Sequence, residues 1–186
     1  MTNIVKTLRP AFMSFLMMTL ICGVIYTSAV TGISQLIFPS QADGSMISVT
    51  LKDGTQKKYG SELIGQVFTK AEYLIGRPVG VTNLSAVSVE QEALVQEKIN
   101  WLHALDPENK ADIPADLVMA SGSGADPNIS PKAAAYQVER IARERGINEK
   151  DVRAIIEKYT VQSFLGFWGE PGVNVLKVNL ALDGLL

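Results

Sequence analysis

Pro10-Ala11-Phe12-Met13-Ser14-Phe15-Leu16-Met17-Met18-Thr19-Leu20-Ile21-Cys22-Gly23-Val24-Ile25-Tyr26-Thr27-Ser28-Ala29-Val30-Thr31-Gly32-Ile33 opens an uncharged run that continues to Ala42. Lys6 and Arg9 stand ahead of it, Asp43 is the first charge behind it, and the next basic residue is Lys52. As a helix, the dense part from Ala11 to Ile33 rises about 35 Å, enough to cross a hydrocarbon core of about 30 Å with modest tilt. The basic residues on one side only place the N-terminus in the cytoplasm and everything beyond the span outside it. A cleaved signal peptide is the rival reading, but its apolar region is usually about 7 to 15 residues long. Ser28-Ala29-Val30-Thr31 offers small residues for cleavage, yet apolar sequence resumes through Ile33, Leu36, Ile37 and Phe38. The expected plan is a short cytoplasmic N-terminus (1–10), a single-pass transmembrane helix (11–33), a linker (34–45) and one extracytoplasmic domain (46–186). The expected location is the cell inner (plasma) membrane, with the domain on the periplasmic or extracellular side.

Behind the span, about 140 residues remain, enough for one domain with a core of its own. The formal charge of -2, with both signs mixed along the chain, leaves no extended basic surface and excludes nucleic acid as a partner class. Cys22, the single cysteine, lies inside the span, so the outer domain holds no disulfide and no thiolate metal site. His103 is the single histidine, which excludes a His-rich metal centre. It reads as a residue of an amphipathic helix rather than the base of a triad, and no His-Glu-x-x-His spacing accompanies it. No catalytic, cofactor-binding or metal-binding set emerges.

The outer domain reads as α+β. Met46–Thr50 and Thr55–Tyr59 flank Asp53-Gly54 as a short hairpin. Ser61 to Ile75 is helical or irregular and closes at Gly76-Arg77-Pro78. Ser88 with Gln91 forms a capping box, after which Val95, Ile99, Leu102 and Leu105 recur at helical spacing. Ile113 to Ala120 reads as a short buried strand. Ser130-Pro131 starts a helix with inner face Ala134, Val138, Ile141 and Ala142, which ends at Gly146. Asn148 with Asp151 opens another, striped by Val152, Ile155, Ile156 and Tyr159. The alternation of Leu176, Val178, Leu180 and Leu182 with Lys177, Asn179 and Ala181 predicts a closing strand over 173–182.

Three stretches are candidate subunit interfaces. Ser121-Gly122-Ser123-Gly124-Ala125-Asp126-Pro127-Asn128-Ile129-Ser130-Pro131 precedes a helix as phosphate loops do, but lacks the Gly-Lys-Ser/Thr ending, and Asp126 would bring negative charge toward a phosphate. It reads instead as a shaped turn, with Ser121, Gly122, Ser123, Gly124, Asp126, Pro127 and Asn128 as interface candidates. Arg77-Pro78 and the loop Phe167-Trp168-Gly169-Glu170-Pro171-Gly172 combine turn formers with aromatic and charged side chains, which nominates Arg77, Phe167, Trp168 and Glu170. Within the span, Gly23 with Thr27 and Ser28 with Gly32 place small residues four apart, which lets another helix approach. No Asp, Glu, Lys, Arg or His lies in the span, so this helix itself carries neither ions nor protons. Arg140, Arg143, Arg145, Lys150 and Arg153 are interspersed with Glu139, Glu144, Glu149 and Asp151 and read as a solvated face.

Taken in order, these motifs resemble a known family, the C subunit of the Kdp-type potassium-transporting ATPase. The resemblance runs from Leu8-Arg9-Pro10 through Gly60-Ser61-Glu62-Leu63-Ile64-Gly65-Gln66, Phe68 and Tyr73 to Arg77-Pro78. It is strongest over Asp116 to Pro131, with Ala133, Ala134, Gln137-Val138 and Arg140. It returns in Leu165-Gly166-Phe167-Trp168-Gly169-Glu170-Pro171, Val173-Asn174-Val175-Leu176 and Asn179-Leu180-Ala181-Leu182-Asp183. One segment departs: where the family carries a longer Gly/Ser/Asn-rich stretch with Ser-Asn-Leu-Gly-Pro, this chain reads Gly80-Val81-Thr82-Asn83-Leu84-Ser85-Ala86.

The resemblance implies a non-catalytic accessory subunit of an ATP-driven, high-affinity potassium importer. Its implied partners are a potassium-translocating subunit, an ATP-hydrolysing P-type subunit and a small membrane peptide, all in the lipid bilayer. The family is described as a catalytic chaperone that raises the ATP affinity of the hydrolysing subunit. ATP and potassium are then handled by the complex, with no cofactor bound by this chain. An outward-facing domain is separated from cytoplasmic ATP, so such help must travel as a coupling free energy through the membrane helices. The alternatives from other classes are an anchored outer-face sensor or ligand-binding module, and a tethered hydrolase for which no nucleophile and base assemble.

Overall fold

The computed structural model describes residues 2–163 and 165–186 and divides into two units, one extending to Met46 and one spanning Ile47–Leu186. In the first, α1 (Thr2–Met18), a π-helical stretch (Thr19–Tyr26) and α2 (Thr27–Ile37) follow without a break. The part Lys6–Ile37 is long and apolar enough to cross a membrane. The helix runs past Ile33 to Ile37 and stops at Phe38, which precedes Pro39 and leaves the helical region at φ -133°. Pro39 then begins one further helical turn, α3 (Pro39–Ala42).

The second unit is α+β. β1 (Met46–Thr50) and β2 (Gln56–Ser61) form a two-stranded sheet. Their turn is fixed where the Asp53 carboxylate accepts from the Thr55 amide at 2.9 Å, with Gly54 at φ +82°. α4 (Val89–Leu105) has half of the expected capping box: the Ser88 hydroxyl oxygen accepts from the Gln91 amide at 3.2 Å, but the Ser88 amide donates to the Ser85 carbonyl and the Gln91 side-chain oxygen accepts from Thr82. Of its stripe only Leu102 is fully buried, while Val95, Ile99 and Leu105 are half-buried.

The strand expected over Ile113–Ala120 is not there. A single 3-10 turn, Ala115–Leu117, occupies it, because Pro114 lacks an amide for a sheet ladder and its carbonyl instead accepts from the Leu117 amide at 3.0 Å. Leu117 is thereby driven fully into the core. The helix expected from Ser130 to Gly146 is divided into α5 (Pro131–Ala135) and α6 (Val138–Arg145). The Gln137 side chain donates to the Ala133 carbonyl at 3.2 Å, and its own amide turns to Ala134 at 3.1 Å, tightening the chain by one residue. Gly146 closes α6 in the left-handed region at φ +63°, and α7 (Glu149–Lys158) follows from an Asn148 cap.

A three-stranded antiparallel sheet has the order β3 (Asn128–Ile129), β5 (Gly172–Asn174), β4 (Thr160–Val161), with Val173 opposite both Ile129 and Thr160. The long closing strand expected over 173–182 is corrected to this short β5 and a helix, α8 (Val175–Leu182). Asn174 decides the change: its side-chain oxygen accepts from the Lys177 amide at 3.0 Å and caps a helix that is buried nearly all round. Under such burial the apolar-polar alternation carries no information about one-sided exposure.

The core gathers Leu74, Leu117, Ile129, Val138, Ile141, Val152, Val173 and Val178. Leu74 and Ile75 are buried in a segment with no strand neighbour, and side-chain amides serve their backbone instead. Asn179 accepts from the Leu74 amide at 2.8 Å and donates to its carbonyl at 2.9 Å. Gln137 does the same for Ile75, at 2.8 and 3.0 Å. The buried Arg140 guanidinium donates to the carbonyls of Ala71 and Tyr73 and to the Gln137 side-chain oxygen, and burial pulls its pKa down to about 10.

Candidate interaction surface

The loop from Ser121 to Ser130 is knitted into its own domain. The Gly65 amide donates to the Ala125 carbonyl at 2.7 Å, the Gly80 amide to Gly124 at 2.8 Å, and the Val175 amide to Pro127 at 3.0 Å. Gly124 sits at φ +66°, and a β-carbon there would meet the Gly80 carbonyl carbon and a Val81 methyl, each at 2.7 Å. Only glycine fits.

Arg77 lies beneath this loop, its Nη2 3.1 Å from Asp116 and its Nε 3.5 Å from Asp126. Burial raises the Asp116 carboxyl, but hydrogen bonds from Ser130 and the charge and hydrogen bond of Arg77 outweigh it and hold the group below its ordinary value. Asp116 accepts from the Ser130 amide at 2.6 Å, Asp126 from Asn128 at 2.9 Å, Ser121 from Asp126 at 3.3 Å, and Ser123 from Ala125 at 3.2 Å. A phosphate cradle needs free amides; these four are already engaged by side-chain oxygens. Of the candidate residues, Arg77, Gly124, Asp126, Pro127 and Asn128 therefore sit within this framework, while Gly122 and Ser123 face solvent.

The loop between β4 and β5 is different. Leu165, Phe167 and Trp168 are 71%, 76% and 70% exposed. The Phe167 and Trp168 rings stack, with centroids 6.4 Å apart, and Glu170 is exposed beside them. The aromatic pair is legible in the sequence, but Leu165 and Val161, the latter 69% exposed, are not, because a lone aliphatic residue carries no local sign that it stands outside the core.

In the first unit, Ser28 and Gly32 both belong to α2 and keep the four-residue stacking of an α-helix, with nothing within 4 Å of a β-carbon built on Gly32. Gly23 lies in the π-helical stretch, whose wider turn offsets it from Thr27. The Thr27 hydroxyl donates to the Cys22 carbonyl of its own helix at 2.9 Å. His103 is exposed on α4, and among the described residues no cluster of His, Cys, Asp and Glu could hold a metal ion.

These features define a class: a disulfide-free α+β domain with a hydrogen-bonded loop and an exposed aromatic edge, following in sequence the one helix among the described residues that is fit to cross a membrane. The chain belongs to the KdpC family, whose model, described as the c chain of the K+-transporting ATPase, matches residues 8–184. It is 54% identical over 188 residues to the potassium-transporting ATPase KdpC subunit of Listeria welshimeri, covering 100% of this chain and 99% of that protein. The Listeria monocytogenes subunit is 53% identical with the same coverage. That of Clostridium perfringens is 44% identical over 200 residues, covering 97% and 98%. Membership ties the chain to potassium transport as one subunit among partners.

Proposed function

We infer that this chain is a non-catalytic accessory subunit of an ATP-driven potassium importer and that its main work is to hold the complex together. The exposed edge at Leu165, Phe167 and Trp168 carries this reading. It lies in a stretch without a charge from Tyr159 to Gly169, and its two aromatic rings stand side by side in solvent. Aromatic residues held out together in this way are the usual anchors of a protein interface. The basic residues ahead of the span favour an outward-facing domain, so the surface it meets is the outer face of the potassium-translocating subunit. Gly122 and Ser123 extend the contact, and α2 packs through Ser28 and Gly32 against a neighbouring membrane helix.

ATP is bound and hydrolysed by the P-type subunit on the other side of the bilayer. This chain raises ATP affinity only as far as docking biases the membrane helices toward the ATP-competent arrangement, a coupling typically of about 1–3 kcal/mol. Phe167→Ala with Trp168→Ala in a tagged chain, extracted in mild detergent, should lose the co-purifying large subunits and their potassium-stimulated ATP hydrolysis. The level of the chain in the membrane should not change, since neither side chain is buried. Full recovery of an active complex would overturn the assignment of this edge.

A further inference from the structure

Lys98 sits where α4 should be apolar. Its helical neighbours three and four positions away are Leu94, Val95, Trp101 and Leu102, so no carboxylate is placed to pair with it along the helix. Its ammonium lies 3.9 Å from the centre of the Trp101 ring, and among the described residues it takes part in no ion pair. A half-buried cation without a counter-ion is costly, and burial lowers its pKa accordingly.

The same side chain lines a cleft of about 620 Å³ between α4 and the segments 67–69, 78–82 and 118–120. Phe68, Val81, Leu94, Trp101 and Val118 supply apolar walls. The Thr82 hydroxyl donates to the Gln91 side-chain oxygen at 3.3 Å and ties the loop to the helix at one side. Glu97 is the single acid on the lining; it is exposed and, as the adjacent helix residue, does not face Lys98. We propose that this cleft binds a small amphipathic monoanion, its apolar body on Trp101, Phe68 and Val118 and its carboxylate or phosphate head on Lys98 Nζ. The volume suits a compact ligand, and the one half-buried cation on the lining selects for one anionic head. A soluble carboxylate and the head of an anionic lipid share this chemistry.

The test uses the full chain in phosphatidylcholine nanodiscs with Trp168→Phe, which leaves Trp101 as the single tryptophan of the two in the sequence. Titration with 4-iodobenzoate should quench Trp101 emission saturably. Lys98→Met should weaken binding about tenfold or more, Lys98→Arg should keep it, and neutral 4-iodobenzamide should bind about tenfold less well to the unmodified cleft. In phosphatidylglycerol nanodiscs, competition with iodobenzoate would identify a lipid head as the anion, and unchanged binding would identify a soluble carboxylate. Linear, unsaturable quenching that is equal with and without Lys98, or equal binding of the acid and its amide, would overturn the proposal. The amide comparison needs no substitution at Lys98 and so stands even if Lys98→Met does not fold.

Discussion

At the scale of single residues, two neutral amides carry a task usually left to a neighbouring strand. Asn179 and Gln137, both buried, close paired hydrogen bonds on Leu74 and Ile75. Asn179→Leu keeps the volume close to native but leaves the Leu74 amide and carbonyl buried and unpaired. It should cost roughly 2–4 kcal/mol, read as a fall in the urea midpoint of the full chain. An unchanged midpoint would show that water replaces the side chain. None of this was legible beforehand, because the partners are 105 and 62 residues apart and a lone Asn or Gln in an apolar stretch gives no hint of which backbone it serves.

At the scale of elements, local signals are legible where they are self-contained. The Ser88, Ser130 and Asn148 caps all form, and Gly146 ends its helix as expected. Such signals mislead where one pattern has two meanings. Alternation over 173–182 suits a one-sided strand, but a helix buried on almost every face tolerates any order of apolar residues, and the Asn174 cap settles it. In the apolar helix, α2 retains regular stacking at Ser28 and Gly32 beyond the π-helical stretch. Replacing both by leucine should block close approach of a second helix and lower the yield of intact complex several-fold in detergent extracts. The same yield as the unmodified chain would remove this contact from the interface.

At the scale of the whole molecule, most of the loop from Ser121 to Ser130 is a tie between distant segments, and only Gly122 and Ser123 at its tip are left to solvent. Arg77, Asp116, Asp126 and the Ser130 amide join parts of the chain that are remote in sequence. Because the folded state holds the Asp116 carboxyl below its ordinary value of 3.8, the unfolded chain binds the proton more tightly. The stability this group contributes is therefore complete above about pH 3.8 and is lost as pH falls through the lower folded value. Asp116→Asn should flatten the acid side of the stability curve of the full chain. A curve that keeps its slope would assign acid sensitivity to other carboxylates. The apolar helix, the α+β class, the helix caps and the family are legible from the residues alone, since each is written in contiguous composition, local spacing or ordered motifs. Which loop residues are spent inside the domain, which aromatics stand free, and that Lys98 faces an apolar cleft emerge only on folding. Those outcomes depend on contacts between segments far apart in the chain, whose energies no local pattern records.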